Sequence, residues 1–119
     1  YEKDFEFVNF GSSIQYINNY ENILNNLSKN NKFTFFSGTH LYDSDREKFS
    51  KNLIVKQINI LPYVNYLYFL NRKNFFKIFT DKKFKLVFEE KNLSDRIKYK
   101  NFKHFLNDVT YSDFLFKKN

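Results

Sequence analysis

The chain has 119 residues, enough for one domain, and a formal net charge of +7. It contains no Cys, which excludes a disulfide scaffold, a cysteine zinc site and thiol catalysis. Its two Gly form neither a Walker loop nor a G-x-G-x-x-G turn, and its apolar stretches are too interrupted to predict membrane insertion. A basic chain without a catalytic motif favours a polyanionic partner such as nucleic acid.

The first half of the sequence predicts a strand, a helix and a second strand. Near-alternation of apolar and polar residues over 5–10 predicts the first strand, which Gly11 ends. Apolar residues then recur at three- and four-residue spacing, which predicts a helix over 14–30. Alternation returns at 32–36 and predicts the second strand.

The second half predicts a strand, a helix and another strand. β-branched residues over 53–61 indicate the third strand. Pro62 stands where a helix favours proline, so we expect a helix over 63–69, with apolar content continuing to Asp81. Strict alternation over 83–89 predicts the fourth strand.

The element order β-α-β-β-α-β predicts an α+β fold of the ferredoxin-like kind. We expect residues 1–90 to form a four-stranded antiparallel sheet with two helices on one face. Residues 37–52 exceed the usual hairpin length, so we expect a long arm between strands two and three. Residues 91–119 are expected to form a C-terminal extension, a helical tail in which Ser94 caps a helix running to about Val109.

The predicted arm contains the residues with the clearest chemistry. Arg46, Lys48 and Lys51 would supply counter-charges for phosphates, and His40 a hydrogen-bond donor. A solvated loop of mixed charge explains the same residues, and composition leaves both interpretations open. Neither His40 nor His104 has carboxylates at a spacing typical of a metal or general-base site, so we expect no enzyme, no metal and no cofactor.

Residues 35–60 resemble the bacterial-type small-subunit ribosomal protein ten family. The resemblance rests on His40, Arg46, Glu47 and Phe49 at that family's spacing, followed by a basic strand that ends in Ile-Asn-Ile. With the order of elements, it extends over about residues 5–90.

The resemblance implies a structural constituent of the small ribosomal subunit head, whose basic arm binds folded rRNA and neighbouring ribosomal proteins. It implies no small-molecule substrate and no catalytic residue. The excess of Phe, Lys and Asn is typical of an AT-rich coding genome, so a mitochondrial version on the organelle ribosome is expected. The residues implied to contact RNA are His40, Arg46, Lys48, Lys51 and Lys56, and those implied to contact protein are Phe49 and Glu47.

Two other classes of binding protein fit parts of the sequence. An RNA-recognition motif shares the predicted frame, but it needs aromatic residues on a strand face where this chain has Leu53, Val55, Gln57 and Asn59. The alternative function is a matrix-facing accessory protein-interaction subunit of an organelle membrane complex, which the basic charge and the aromatic C-terminal residues would suit.

Overall fold

The computed structural model describes residues 5–43, 51–92 and 109–119. Within these ranges the chain forms six strands, two α-helices and one 3₁₀ turn. In chain order they are β1 (Phe7–Gly11), the 3₁₀ turn (Ile14–Tyr16), α1 (Tyr20–Asn30), β2 (Phe33–Tyr42), β3 (Leu53–Ile60), β4 (Tyr63–Asn71), α2 (Arg72–Thr80), β5 (Phe84–Asn92) and β6 (Val109–Lys118). Neither α1 nor α2, the helices of the described ranges, is long and apolar enough to cross a membrane.

The strands form one mixed sheet in the order β3-β4-β2-β6-β5, with β1 beside β2. β1 and β4 both run parallel to β2, whereas the β2–β6, β3–β4 and β5–β6 pairs are antiparallel. The predicted four-stranded antiparallel ferredoxin-like sheet is therefore wrong. The α/β arrangement arises because β1, α1 and β2 make a parallel β-α-β unit, and because two strands were missed by the sequence analysis.

The segment predicted as the second helix is strand β4. It pairs with β3 as an antiparallel hairpin in which Val55 lies opposite Leu67 and Ile58 opposite Val64. Val64, Leu67 and Tyr68 satisfy a helical spacing, but Leu67 and Phe69 are the residues that the fold buries, at a spacing of two. Valine, tyrosine and phenylalanine favour strands, and pairing with β3 stabilises the strand over the helix that the spacing also allows.

The C-terminal part of the predicted helical tail is strand β6. It lies between β2 and β5, so strand pairing joins residues on both sides of position 90. Ser112, Phe114 and Phe116 are buried and alternate with more exposed neighbours, as expected of a strand. The helix predicted from Ser94 lies outside the described residues.

Both helices pack on one face of the sheet, around the ring of Phe36. This ring stacks on Phe114 at a centroid distance of 4.9 Å and meets Phe75 and Phe79 edge-on at 5.3 and 5.6 Å. Aromatic pairs of this kind add about 0.5–1.5 kcal/mol each beyond the area they bury. Phenylalanines therefore make up about half of the principal core. Its buried members are Ile14, Tyr20, Leu24, Phe36, Leu41, Leu70, Phe75, Phe79, Phe84, Phe114 and Phe116.

A second, smaller apolar cluster lies on the opposite face of the sheet. It consists of Tyr42, Val55, Leu67 and Phe69. Neighbouring residues of a strand point to opposite faces, so β2 supplies Leu41 to the principal core and Tyr42 to this cluster.

Candidate functional site

One edge of β2 is shared by two parallel strands. β1 pairs with it along Phe33–Ser37 and β4 along Leu41–Tyr42, while β6 occupies the other edge. The carboxyl end of β1 therefore opens into a gap between β1 and β4, opposite residues 38–40. In open α/β sheets, ligands bind outside the carboxyl ends of parallel strands, at the point where the strand order changes. This gap is the candidate site.

Gln15 enters the gap from the 3₁₀ turn that follows β1. Its side chain is 2% exposed, and its Nε2 donates to the carbonyl oxygens of Ser12 at 3.1 Å and Gly38 at 3.2 Å. Its Oε1 has no hydrogen-bond partner among the described residues. A buried acceptor left without a donor costs about 1–3 kcal/mol, so Oε1 is suited to accept from a ligand. We call residues 12–16 together with Gly38 the wedge.

Gly38 is the point where polar groups of three elements converge. Its φ is +56°, and a Cβ at this position would lie 2.3 Å from Tyr111 Oη and 2.4 Å from Ser12 Oγ. Its backbone N–H donates to Asp113 Oδ1 at 2.7 Å. The β2–β6 register shifts between Phe36 and Thr39, so Gly38 stands in a β-bulge. Both the backbone conformation and the close approach require glycine here.

Two exposed hydrogen bonds connect the wedge region to the β3–β4 hairpin. Tyr16 Oη donates to Gln57 Oε1 at 2.9 Å, and Tyr68 Oη donates to Asn18 Oδ1 at 2.8 Å. Because both bonds face solvent, their phenol and amide groups can exchange partners with a bound molecule at small cost. We call these four side chains the polar rim. Phenol and amide groups donate and accept hydrogen bonds, a chemistry that suits ligand hydroxyls.

The Arg72 charge, directly after the carboxyl end of β4, is paired within the fold. The Arg72 guanidinium makes a bidentate pair with Glu89, lies 4.0 Å from Asp43 and stacks over the Phe76 ring at 4.3 Å. The Arg72 and Glu89 side chains are 18% and 16% exposed. This pairing leaves no unpaired positive charge at Arg72 for a phosphate, and it anchors α2 to β5.

His40 lies inside β2, not on an arm, because residues 37–42 of the predicted arm belong to this strand. His40 is 6% exposed; its ring stacks on Phe69 at 5.1 Å and meets the Tyr111 ring at a tilt of 59° and 4.9 Å. Burial lowers the pKa of His40 to about 4, so the ring is neutral at pH 7. The structure thus places His40 as a packed core residue on the face of the second cluster.

The other residues predicted to bind RNA or protein do not come together with His40 in the described ranges. Lys51 precedes β3 and Lys56 lies within it, and both are exposed. Arg46, Glu47, Lys48 and Phe49 lie outside the described residues. Among residues 5–43, 51–92 and 109–119, no group of three or more His, Cys, Asp or Glu side chains is placed to hold a metal ion.

No family model and no curated protein matches this chain. Solved structures do match its fold. The N-terminal domain of EvdMO1, crystallised in the presence of SAH and D-fucose, matches with a TM-score of 0.61 and 11% identity over 99% of this chain and 49% of that one. The same domain with SAH bound gives 0.59 and 10% over 97% and 47%. A S-adenosylmethionine-dependent methyltransferase from Clostridium acetobutylicum ATCC 824 gives 0.54 and 9% over 100% and 60%.

These similarities establish the fold and correct the ribosomal interpretation. The chain spans about half the length of the EvdMO1 domain structures it matches. Of the three structures named here, two were crystallised with SAH and one is a S-adenosylmethionine-dependent methyltransferase, and none is ribosomal. The resemblance to the ribosomal protein ten family, and the role in the small subunit that it implied, are therefore wrong. His40, the one of the four residues behind that resemblance that lies in the described ranges, is buried in a strand.

The wedge has little signal in the sequence. Gln15 falls inside the helix predicted over 14–30, and no neighbouring residue marks it as buried. Gly38 could have been recognised, because it is one of only two Gly in the chain and follows a run of strand-forming aromatic residues. Such a residue indicates a bulge or a close backbone approach.

Proposed function

We propose that this chain forms the acceptor-facing part of a methyltransferase-like α/β domain. The observation that carries the proposal is the match of 97–100% of the chain to domains that bind SAH or belong to a S-adenosylmethionine-dependent methyltransferase. The wedge supports it, since it lies at the sheet edge where open α/β sheets bind ligands.

The described residues do not hold a nucleoside cofactor by themselves. A nucleotide-binding α/β unit uses a Gly-rich turn after its first strand and a carboxylate for the ribose hydroxyls. Here β1 is followed by Gly11-Ser12-Ser13, and Asp43, at the end of β2, faces Arg72. The sequence led us to expect no enzyme; we propose instead a part of a methyltransferase-like domain, in which residues beyond the described ones bind the cofactor.

The wedge and the polar rim would bind and orient the methyl acceptor. Gln15 Oε1 offers a buried acceptor for one ligand donor, and Tyr16 and Gln57 offer exchangeable groups at the mouth of the gap. One similar domain was crystallised in the presence of D-fucose, a compound rich in hydroxyls. A hydroxyl-bearing acceptor fits the same chemistry here. S-adenosylmethionine, when bound, would supply the electrophilic methyl group for such an acceptor.

The proposal is tested on the natural protein that carries this sequence. Calorimetry with S-adenosylhomocysteine should show saturable binding, and radiolabelled S-adenosylmethionine should transfer label to a hydroxyl-bearing acceptor. Tyr16→Phe should lower transfer while leaving the affinity for S-adenosylhomocysteine unchanged. Tyr63→Phe, an exposed tyrosine at the turn of the hairpin, is the matched control and should behave as wild type. Absence of any S-adenosylhomocysteine binding would refute the proposal.

A further inference from the structure

The β3–β4 hairpin carries apolar side chains beyond the part of the sheet that the helices cover. Tyr68 packs against the principal core on the helix side of the sheet. Because alternate residues of a strand share a face, Tyr66 and Val64 continue this face toward the turn. Ile54 and Ile58 lie on it too, since the register places them opposite Tyr68 and Val64. One face of the outer hairpin is therefore mainly apolar.

The side chains of this face and of the turn are exposed to solvent. Ile54 is 69% exposed and Tyr66 64%, and the exposed fraction reaches 79% at Leu61 in the turn. A two-stranded hairpin with no further cover is marginally stable in water, so such a surface indicates a partner. We call the seven exposed apolar side chains of the hairpin the hairpin patch: Ile54, Ile58, Ile60, Leu61, Tyr63, Val64 and Tyr66.

The area of the hairpin patch matches one side of a stable protein interface. At about 200 Å² for each large side chain, seven side chains that are 39–79% exposed present roughly 900 Å². A stable interface buries about 800 Å² on each partner. The largest apolar patch on an ordinary monomer is about 300–600 Å². The hairpin patch is therefore large enough to hold a dimer together.

The charge of the hairpin suits a second copy of the same chain. Lys56 is the only charged residue between positions 53 and 71, so two such surfaces bring little like charge together. The lysines of β5 lie at the far edge of the sheet, four strand spacings or about 19 Å from β3. This distance exceeds the screening length of about 8 Å at physiological ionic strength. The net charge of +7 therefore does not oppose contact at the hairpin.

Other occupants fit the hairpin patch less well. Segments that bind anionic membranes carry clusters of lysine and arginine beside their apolar residues, and here Lys56 stands alone. A different protein is selected by complementary charges across the interface, and the hairpin has no charge pattern that would select one. Lys56 lies in the edge strand β3, so its ammonium group can reach solvent past the edge of the sheet while its stem packs.

We propose that two copies of this chain associate through the hairpin patch, with the two hairpins packed face to face about a two-fold axis near Ile58. A two-fold interface places the same patch on both copies, so the apolar side chains cover one another. Ile58 and Val64 lie opposite each other, between Ile54 at the base of the patch and Leu61 in the turn, which places them nearest the axis. The proposal does not depend on methyl transfer, because it rests on the hairpin alone.

Crosslinking from a single cysteine tests this arrangement. Residues 1–119 contain no Cys, so Ile58→Cys gives one thiol per copy in the natural protein once any cysteine outside these residues is replaced. A bismaleimide that spans the roughly 10 Å between packed sheets should join two copies. Phe88→Cys, on β5 and also exposed, is the matched control and should give no linked product. Absence of the product from position 58, or an equal yield from both positions, would overturn the proposal.

Sedimentation velocity measures what the hairpin patch contributes to association. Tyr66→Asp changes an exposed side chain, so the monomer should stay folded by circular dichroism. The dissociation constant of the dimer should rise at least about 10-fold, because the interface strips water from the new carboxylate. Phe88→Asp should leave the dissociation constant unchanged, and equal effects of the two substitutions would contradict the proposal.

Vesicle flotation separates self-association from lipid binding. Wild-type protein should not float with vesicles of phosphatidylcholine and phosphatidylserine, because the hairpin lacks a basic cluster. Flotation that Tyr66→Asp abolishes, together with a monomer in solution, would assign the hairpin patch to a lipid surface and overturn the dimer.

Discussion

Replacing His40 should remove the part of the protein's loss of stability between pH 6.5 and pH 4 that comes from protonating this buried ring. The ring is 6% exposed and has a pKa of about 4, against an ordinary value of 6.5. In this interval His40 is protonated in the unfolded chain but stays neutral in the folded chain, so the free energy of unfolding falls as pH is lowered. Above pH 6.5 the residue makes no pH-dependent contribution. The shift of about 2.5 pH units corresponds to about 3 kcal/mol at 1.36 kcal/mol per unit.

His40→Phe is the most informative substitution, since it keeps a ring against Phe69 and removes the titrating group and its unpaired Nδ1. Urea unfolding of wild type and variant at steps from pH 4 to pH 7.5 measures the difference. Carboxylates titrate in both proteins and cancel in the comparison. His40→Gln, which lacks the ring, should show the same flattening of the pH profile with a lower stability at pH 7. Equal pH slopes in wild type and both variants would refute the assignment of His40 as a buried neutral ring.

Three further substitutions test the fold around the site. Gly38→Ala should lower the free energy of unfolding by about 2–4 kcal/mol, because an added Cβ meets a left-handed backbone and overpacks its neighbours. Adding Tyr111→Phe should restore part of this loss by removing the nearest oxygen. An unchanged melting temperature in Gly38→Ala would contradict the bulge geometry. Arg72→Lys keeps the charge but loses the bidentate pair with Glu89. Chemical unfolding should show a free energy of unfolding lower by about 1–2 kcal/mol. An unchanged denaturation midpoint would mean that the pair contributes nothing to stability. Phe36→Ala should lower the free energy of unfolding by about 3–5 kcal/mol in the same assay. Phe88 is exposed, so Phe88→Ala should cost less than about 1 kcal/mol. Comparable losses would argue against Phe36 as the centre of the core.

The strands with strict local patterns were predictable from the sequence. Alternation over 83–89 corresponds to β5, and the β-branched run over 53–61 corresponds to β3, within a few residues at each end. These elements have patterns of period two that one segment carries alone.

The remaining elements depend on partners far away in sequence. β4 has a spacing compatible with a helix, and only the adjacent β3 decides in favour of a strand. β6 was assigned to a tail because nothing local shows that it inserts between β2 and β5. Likewise, His40 looked polar and exposed, whereas the bulge at Gly38 and the neighbours Phe69 and Tyr111 bury it. Burial of this kind is a property of assembled strands and has no signal in the surrounding residues.

The place of β6 in the sheet has a consequence for the order in which the protein is made. Residues 109–118 are synthesised after the other five strands, yet they supply the partner for one edge of β2 and for β5. Until these residues leave the ribosome, β2 and β5 have no bridge between them, and the rings of Phe114 and Phe116 are missing from the principal core. A nascent chain therefore completes its core only when the sixth strand has been synthesised, and until then the edges of β2 and β5 that β6 will pair with stay open to non-native pairing.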